Sequence, residues 1–149
     1  MQKKLGIPVH HLDALYWKPG WVKTERDVWR ALQENMCSGD TWIVDGNYGS
    51  TLDIRLQRSD TIIFLNLNRF ICLARALWRS IAQYGKRRPD MAEGCEERLD
   101  FAFAKWIWEF PVEQTPEILK RLQAMSGEKT IIILSSPREV KQFLRNLSA

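Results

Sequence analysis

Three runs of apolar and β-branched residues, TWIV at 41–44, TIIFLNL at 61–67 and TIIIL at 130–134, constrain this chain more than any other feature. They are nearly continuous rather than alternating. A strand with one wet face alternates apolar and polar residues, whereas a strand covered on both faces does not. A fourth, shorter apolar run lies at 7–12. Helical patterns separate the four, which predicts an α/β domain built on a mainly parallel sheet.

The predicted helices have recognisable ends. Thr24, with Asp27 three residues on, reads as the N-cap of a helix that runs to about residue 38 and stops at Gly39. Asn68 caps a long helix over about 69–84, stopped by Gly85. A further amphipathic stretch covers about 96–110 and ends at Pro111. Pro116 lies near the start of another helix that ends before Gly127, and Pro137 sits in the first turn of a last helix to about residue 147. The polar segment 85–97, with its Gly, Pro and mixed charges, reads as a mobile loop or lid.

At 149 residues the chain is the size of one domain, without an internal repeat or a linker. Its apolar runs are far shorter than the roughly 20 residues of a membrane span. Cys37, Cys72 and Cys95 form no CxxC pair, so they read as reduced thiols of a cytoplasmic protein. The seven tryptophans are expected mostly in the core or in pocket walls.

Charge is unevenly placed. Arg69, Arg75, Arg79, Lys86, Arg87 and Arg88 fall in one stretch with no acidic residue, which is +6 in a chain of net +4, so the remainder sums to 4 − 6 = −2. Such a stretch is either a solvated basic face or a site for an anion, and the absence of acids favours the anion. Arg75 and Arg79 are four apart and share a helical face.

Two carboxylates are candidate chemistry. In TWIVDGNY, Asp45 stands at the C-terminal tip of a buried strand, where parallel α/β sheets bind ligands. The alternative is a turn opened by Asp45-Gly46. In VHHLDALYW, Asp13 also follows a strand and is expected on the same sheet edge, unless it merely caps a helix or turn. Together they could serve a metal, a substrate hydroxyl or both. His10 and His11 point to opposite faces of a strand, so at most one faces a pocket, and a hydrogen-bonded structural role is the expected one. In LSSPREV, the turn after the last strand is a simple helix start or the edge of a base pocket.

HLDALYWKPGW, WIVDGNYG, the acid-free arginine helix, KRRPDMAEG and SSPREV together resemble the topology-modulation (FlaR-like) proteins over nearly the whole chain. Those are similar to adenylate kinase and belong to the P-loop NTPase superfamily. The resemblance implies a three-layer parallel sheet and a phosphotransferase that uses ATP and Mg²⁺ on a small-molecule acceptor. It makes Asp45 the acid ending the Walker B strand, touching Mg²⁺ through water. Asp13, Tyr16 and Trp17 match the acceptor side, with Asn47 and Arg55 as further acceptor contacts. Arg75 and Arg79 match the root of the lid and Arg87 and Arg88 its interior. Ser136, Pro137 and Arg138 match the adenine-side loop.

The chain departs from that family in one respect: it contains no GxxxxGK[ST] loop. Its first residues, MQKKLGIPV, resemble the end of the helix that follows such a loop. The expectation is therefore an incomplete domain, with the first and central strand missing between the strands at 41–44 and 61–67. The competing explanation is a variant that has lost catalysis. Either way, activity is expected to be weak or absent, and exposed strand edges invite a homodimer. The other class of function is a non-catalytic nucleic-acid-binding or regulatory protein that uses the basic stretch 69–88, with aromatics that stack on bases. It ranks second because the aromatics are interleaved with core-type residues.

Overall fold

The structure, a computed structural model, describes residues 2–86, 88 and 90–147. Arg87 lies outside the described residues. The elements in chain order are α1 (Gln2–Leu5), β1 (Val9–His11), α2 (Leu12–Tyr16), β2 (Trp17–Lys18), β3 (Val22–Lys23), α3 (Arg26–Met36), β4 (Ile43–Asp45), a 3₁₀ turn (Gly49–Thr51), α4 (Leu52–Arg58), β5 (Thr61–Leu65), α5 (Arg69–Ala82), α6 (Phe101–Glu113), α7 (Thr115–Ala124), β6 (Thr130–Leu134) and α8 (Pro137–Asn146). The architecture is mixed α/β with short parallel sheets. Among the described residues, no helix is long and apolar enough to cross a membrane.

The chain forms two compact units, Met1–Ser59 with Gly85–Glu97, and Asp60–Tyr84 with Arg98–Ala149. In the first, β1 and β4 pair in parallel, with Val9 opposite Ile43 and His11 opposite Asp45. In the second, β5 and β6 pair in parallel over five residues, Thr61 opposite Thr130 through Leu65 opposite Leu134. The continuous apolar runs thus become parallel strands, as their pattern predicts. Among the described residues each of these strands has one ladder partner.

The helix ends follow local hydrogen bonding. Asn68 caps α5, its side chain accepting from the Phe70 N–H at 2.9 Å. Ser136 caps α8, with Pro137 in the first turn where its missing N–H costs nothing. Two helix starts differ from expectation. Thr24 is not a cap: its hydroxyl donates to the Tyr16 carbonyl at 2.6 Å, and α3 starts at Arg26. The stretch expected as helix from about 96 begins only at Phe101, because Asp100 accepts from the Phe103 N–H at 3.1 Å and sets the cap there. Pro111 does not end this helix; it sits within the last turn and forfeits only the bond to the Ile107 carbonyl.

The segment 85–97 is tied into the first unit. Gly85 N–H donates to the Glu97 carbonyl at 3.0 Å and Glu97 N–H to the Lys86 carbonyl at 3.0 Å, closing the segment at its base. Gly20 N–H donates to the Gly94 carbonyl at 3.0 Å, and the Cys95 thiol to the Lys18 carbonyl at 3.3 Å. These bonds dock the segment on the turn between β2 and β3. Gly94 has φ +73°, and a Cβ there would lie 3.0 Å from Pro19, so a larger residue would be strained in its backbone and would crowd Pro19.

Candidate functional site

The carboxyl ends of β1 and β4 carry the densest polar constellation of the first unit. Asp45 ends β4 and faces His11 across the parallel register, with His11 Nδ1 3.0 Å from Asp45 Oδ2. An ionised carboxylate can only accept, so Nδ1 carries the proton and donates it. Asp45 is 69% exposed, and among the described residues this contact orients it. Asp13 is not in the strand extension but in the first turn of α2, which starts as soon as β1 ends.

Asp13 Oδ1 accepts from the Tyr48 hydroxyl at 2.6 Å. Its other oxygen has no hydrogen-bond partner among the described residues. The Tyr48 proton is held far into the alkaline range, first by burial and then by the hydrogen bond and charge of Asp13; a hydrogen bond from the Trp17 indole acts the other way. Tyr48 in turn packs in an aromatic cluster. Its ring centroid is 4.7 Å from that of Tyr16 and 5.0 Å from that of Trp29, while Tyr16 and Trp17 meet edge-on at 5.0 Å.

Because the ordinary tyrosine value is 10.0 and the folded value lies above it, folding favours the protonated phenol. That stabilisation is complete below pH 10 and is lost as the pH rises from there towards the folded value. The urea midpoint of the wild type is therefore expected to fall between pH 9 and pH 11 by more than that of Tyr48→Phe, which lacks the titrating group. Equal declines in the two proteins would remove Tyr48 from this role.

The loop after β4 is shaped by Gly46 and Arg55. Gly46 has φ +141°, and a Cβ on it would stand 2.8 Å from the Leu12 Cβ. Leu12 is fully buried and cannot retreat. Gly46→Ala is expected to cost about 2–3 kcal/mol in denaturant unfolding, from backbone strain and overpacking together. Arg55, from α4, is 8% exposed and donates from Nη1 to the Gly46 carbonyl at 2.7 Å and from Nη2 to the Tyr48 carbonyl at 2.8 Å. Its guanidinium holds the loop from beneath. Asn47, between these two carbonyls, is exposed.

The remaining sequence-predicted residues are placed as follows. Arg88 is not surrounded only by cations, as the linear stretch implies: Glu97 at 3.3 Å and Asp90 at 3.6 Å flank its Nε. These acids come from just beyond the counted stretch. In the second unit, Arg75 is exposed on α5 and the Arg79 guanidinium lies 5.9 Å from the Phe103 ring centroid. Ser136 and Pro137 start α8, and Arg138 is exposed in its first turn. Glu139 occupies that helix start, accepting from the Ser135 N–H and the Ser136 hydroxyl, both at 2.8 Å. These bonds, the backbone one first, hold its carboxyl below the usual range.

Tyr48 and Trp29 are the participants that sequence reasoning missed. For His11 a hydrogen-bonded structural role was expected and is found, and the parallel register identifies its partner as Asp45. Tyr48 stands in the WIVDGNYG motif, and its spacing from Asp13 carries no local signal. Among the described residues, no group of three or more His, Cys, Asp or Glu side chains is placed to hold a metal ion. No family model, curated protein or solved structure matches the chain.

Proposed function

We propose that this chain is an adenylate-kinase-like P-loop phosphotransferase-type protein of the topology-modulation type, with a three-layer sheet as its finer architecture. The observation that carries the reading is the parallel pair β1–β4, whose carboxyl ends present Asp45 and, in the helix that follows β1, Asp13. Ligands of parallel α/β sheets bind at such ends. Asp13, with one oxygen on Tyr48, turns the other to a hydroxyl or amine of the acceptor. Tyr16 and Trp17, their rings edge-on to each other, supply an apolar wall beside it, and Asn47 a polar edge.

Mg²⁺ keeps several of its waters and needs only one or two carboxylates, which suits Asp45. The phosphates of ATP have no such fit, because residues 1–149 contain no GxxxxGK[ST] loop. Turnover by this chain is expected to be weak or nil. Arg75, Arg79, Arg87, Arg88, Ser136, Pro137 and Arg138 enter this reading through the resemblance alone.

The test is a fluorescence titration of the folded chain, its fold verified by circular dichroism, with MgATP and with each common nucleoside monophosphate. Trp17 and Trp29 report directly from the site. The expected result is weak MgATP binding and saturable quenching by at least one monophosphate. Asp13→Asn should weaken that binding about tenfold, the loss of one hydrogen bond to a charged group. A folded chain whose fluorescence responds to none of these would overturn the reading.

A further inference from the structure

One side of α5 is apolar and faces solvent. Phe70, Ala74, Leu77 and Ile81 follow one another at spacings of four, three and four residues, and all four are exposed. On a helix that spacing keeps side chains in one stripe, as at the a and d positions of a heptad. Trp78, expected in the core or a pocket wall, lies one turn beyond Ala74 at the edge of the stripe and is 73% exposed.

The stripe carries no charge. At about 100° per residue its five side chains span about 100° of the helix. Arg69, Arg75 and Arg79 lie about 110° or more from its centre, at the c, b and f positions of the same heptad. No acidic residue occurs on α5. Trp108 of α6 meets Phe70 edge-on at 5.3 Å and is itself exposed, so it widens the stripe at that end. Of the charges on α6, Lys105 and Glu109 pair with each other at 3.7 Å, and Glu113 lies about 140° round from Trp108.

We propose that this stripe is the contact between two copies of the chain, packed α5 against α5 as an antiparallel pair about a two-fold axis. In that arrangement the stripe is complementary to itself. With the axis between positions 75 and 76, Phe70 faces Ile81 of the second copy and Ala74 faces Leu77, so a small residue meets a larger one in the central layers. The arginines, at b, c and f, stay outside the contact, and like charges do not meet across it. Phe70, Leu77, Trp78, Ile81 and Trp108 together expose about 600 Å² per copy, taking about 150–250 Å² for a whole aromatic side chain. Two copies offer about 1,200 Å², above the roughly 1,000 Å² that a specific interface needs. This contact uses a helix face and leaves the strand edges untouched.

The test is sedimentation velocity of the full chain from about 1 μM to about 1 mM, where a reversible dimer of micromolar order is expected for an interface at the small end of the specific range. Ile81→Glu should weaken it at least 100-fold or so, because the two-fold axis buries the new carboxylate twice. Ile81 is exposed, so the variant should keep its fold, which circular dichroism verifies. Val28→Glu, at an exposed apolar residue of α3, should leave the dimer unchanged. Leu77→Glu and Ala74→Lys should each be monomeric alone and should dimerise when mixed, since antiparallel pairing sets position 77 against position 74. A monomer at every concentration would overturn the proposal, as would a dimer that Ile81→Glu leaves intact. Folded variants that fail to pair when mixed would overturn the antiparallel arrangement. A monomer that co-sediments with vesicles of phosphatidylcholine and phosphatidylserine would assign the stripe to a lipid surface instead.

Discussion

Arg55→Met is expected to lower the unfolding free energy by about 3 kcal/mol. Methionine keeps the apolar stem, so the loss isolates the guanidinium. Two bonds go, to the Gly46 and Tyr48 carbonyls at 2.7 and 2.8 Å. Both bonds are half-buried and have a charged donor, and each such bond is worth about 1.5–3 kcal/mol. Against this stands the relief of returning a buried cation to water. Burial is the main influence on Arg55 and pulls its proton affinity down, with Cys37 first among the opposing groups. A buried charge paired with an acid can be replaced without loss. Arg55 instead holds two neutral carbonyls of one loop, and its removal frees that loop. Arg55→Lys is expected to recover little, because one ammonium cannot span two carbonyls as a planar fork does. Urea unfolding followed by tryptophan emission measures both variants. An Arg55→Met midpoint equal to that of the wild type would show that the loop is held by Gly46 and Tyr48 without help.

The same residue shows what a linear reading can and cannot reach. Strand positions were legible, and β6 occupies the range 130–134 of its β-branched run; burial on both faces was not realised, since Ile133 of β6 and Leu65 of β5 are exposed. Helix starts were legible where the capping residue competes with nothing, as at Asn68 and Ser136. They were misread where a tertiary partner took the side chain: the Thr24 hydroxyl goes to the Tyr16 carbonyl eight residues back. The β2–β3 hairpin escaped notice because its two-residue strands are too short to show a period. Its turn is made by Gly20 and Trp21, both at positive φ, and only the glycine gives a local hint.

The site divides in the same way. Asp13 and Asp45 were visible because each follows an apolar run, and strand ends are where such sheets bind ligands. What orients them was not visible. His11 reaches Asp45 through the parallel register, and Tyr48 reaches Asp13 across 35 positions of sequence. The arginine stretch was visible as charge, but charge alone does not tell an ion-paired arginine from a free one. Arg88 lies against Glu97, whereas Arg75 on the same count has no such neighbour among the described residues.

Trp29→Ala is expected to cost about 3–5 kcal/mol, the range for removing a large aromatic from a packed interior. Trp29 comes from α3 and is 2% exposed. Its ring meets Tyr16 and Tyr48, each with centroids 5.0 Å apart, at interplanar angles of 67° and 59°. Both contacts are tilted or edge-on, the favourable arrangements, and each adds about 0.5–1.5 kcal/mol beyond the area buried. Alanine would leave a void against the ring whose hydroxyl holds Asp13. Trp29→Phe separates ring from polar atom. The Trp29 indole N–H is buried with no hydrogen-bond partner among the described residues. Phenylalanine removes that unpaired donor, whose burial costs about 1–3 kcal/mol, and so recovers part of the lost contact. The expected order is thus wild type, then Trp29→Phe within about 1.5 kcal/mol, then Trp29→Ala well below. Denaturant unfolding followed by circular dichroism gives the order without relying on the tryptophan that was changed. If Trp29→Phe proved as damaging as Trp29→Ala, the indole itself would have to be bonded, and the packing account of how Tyr48 is held would have to be abandoned.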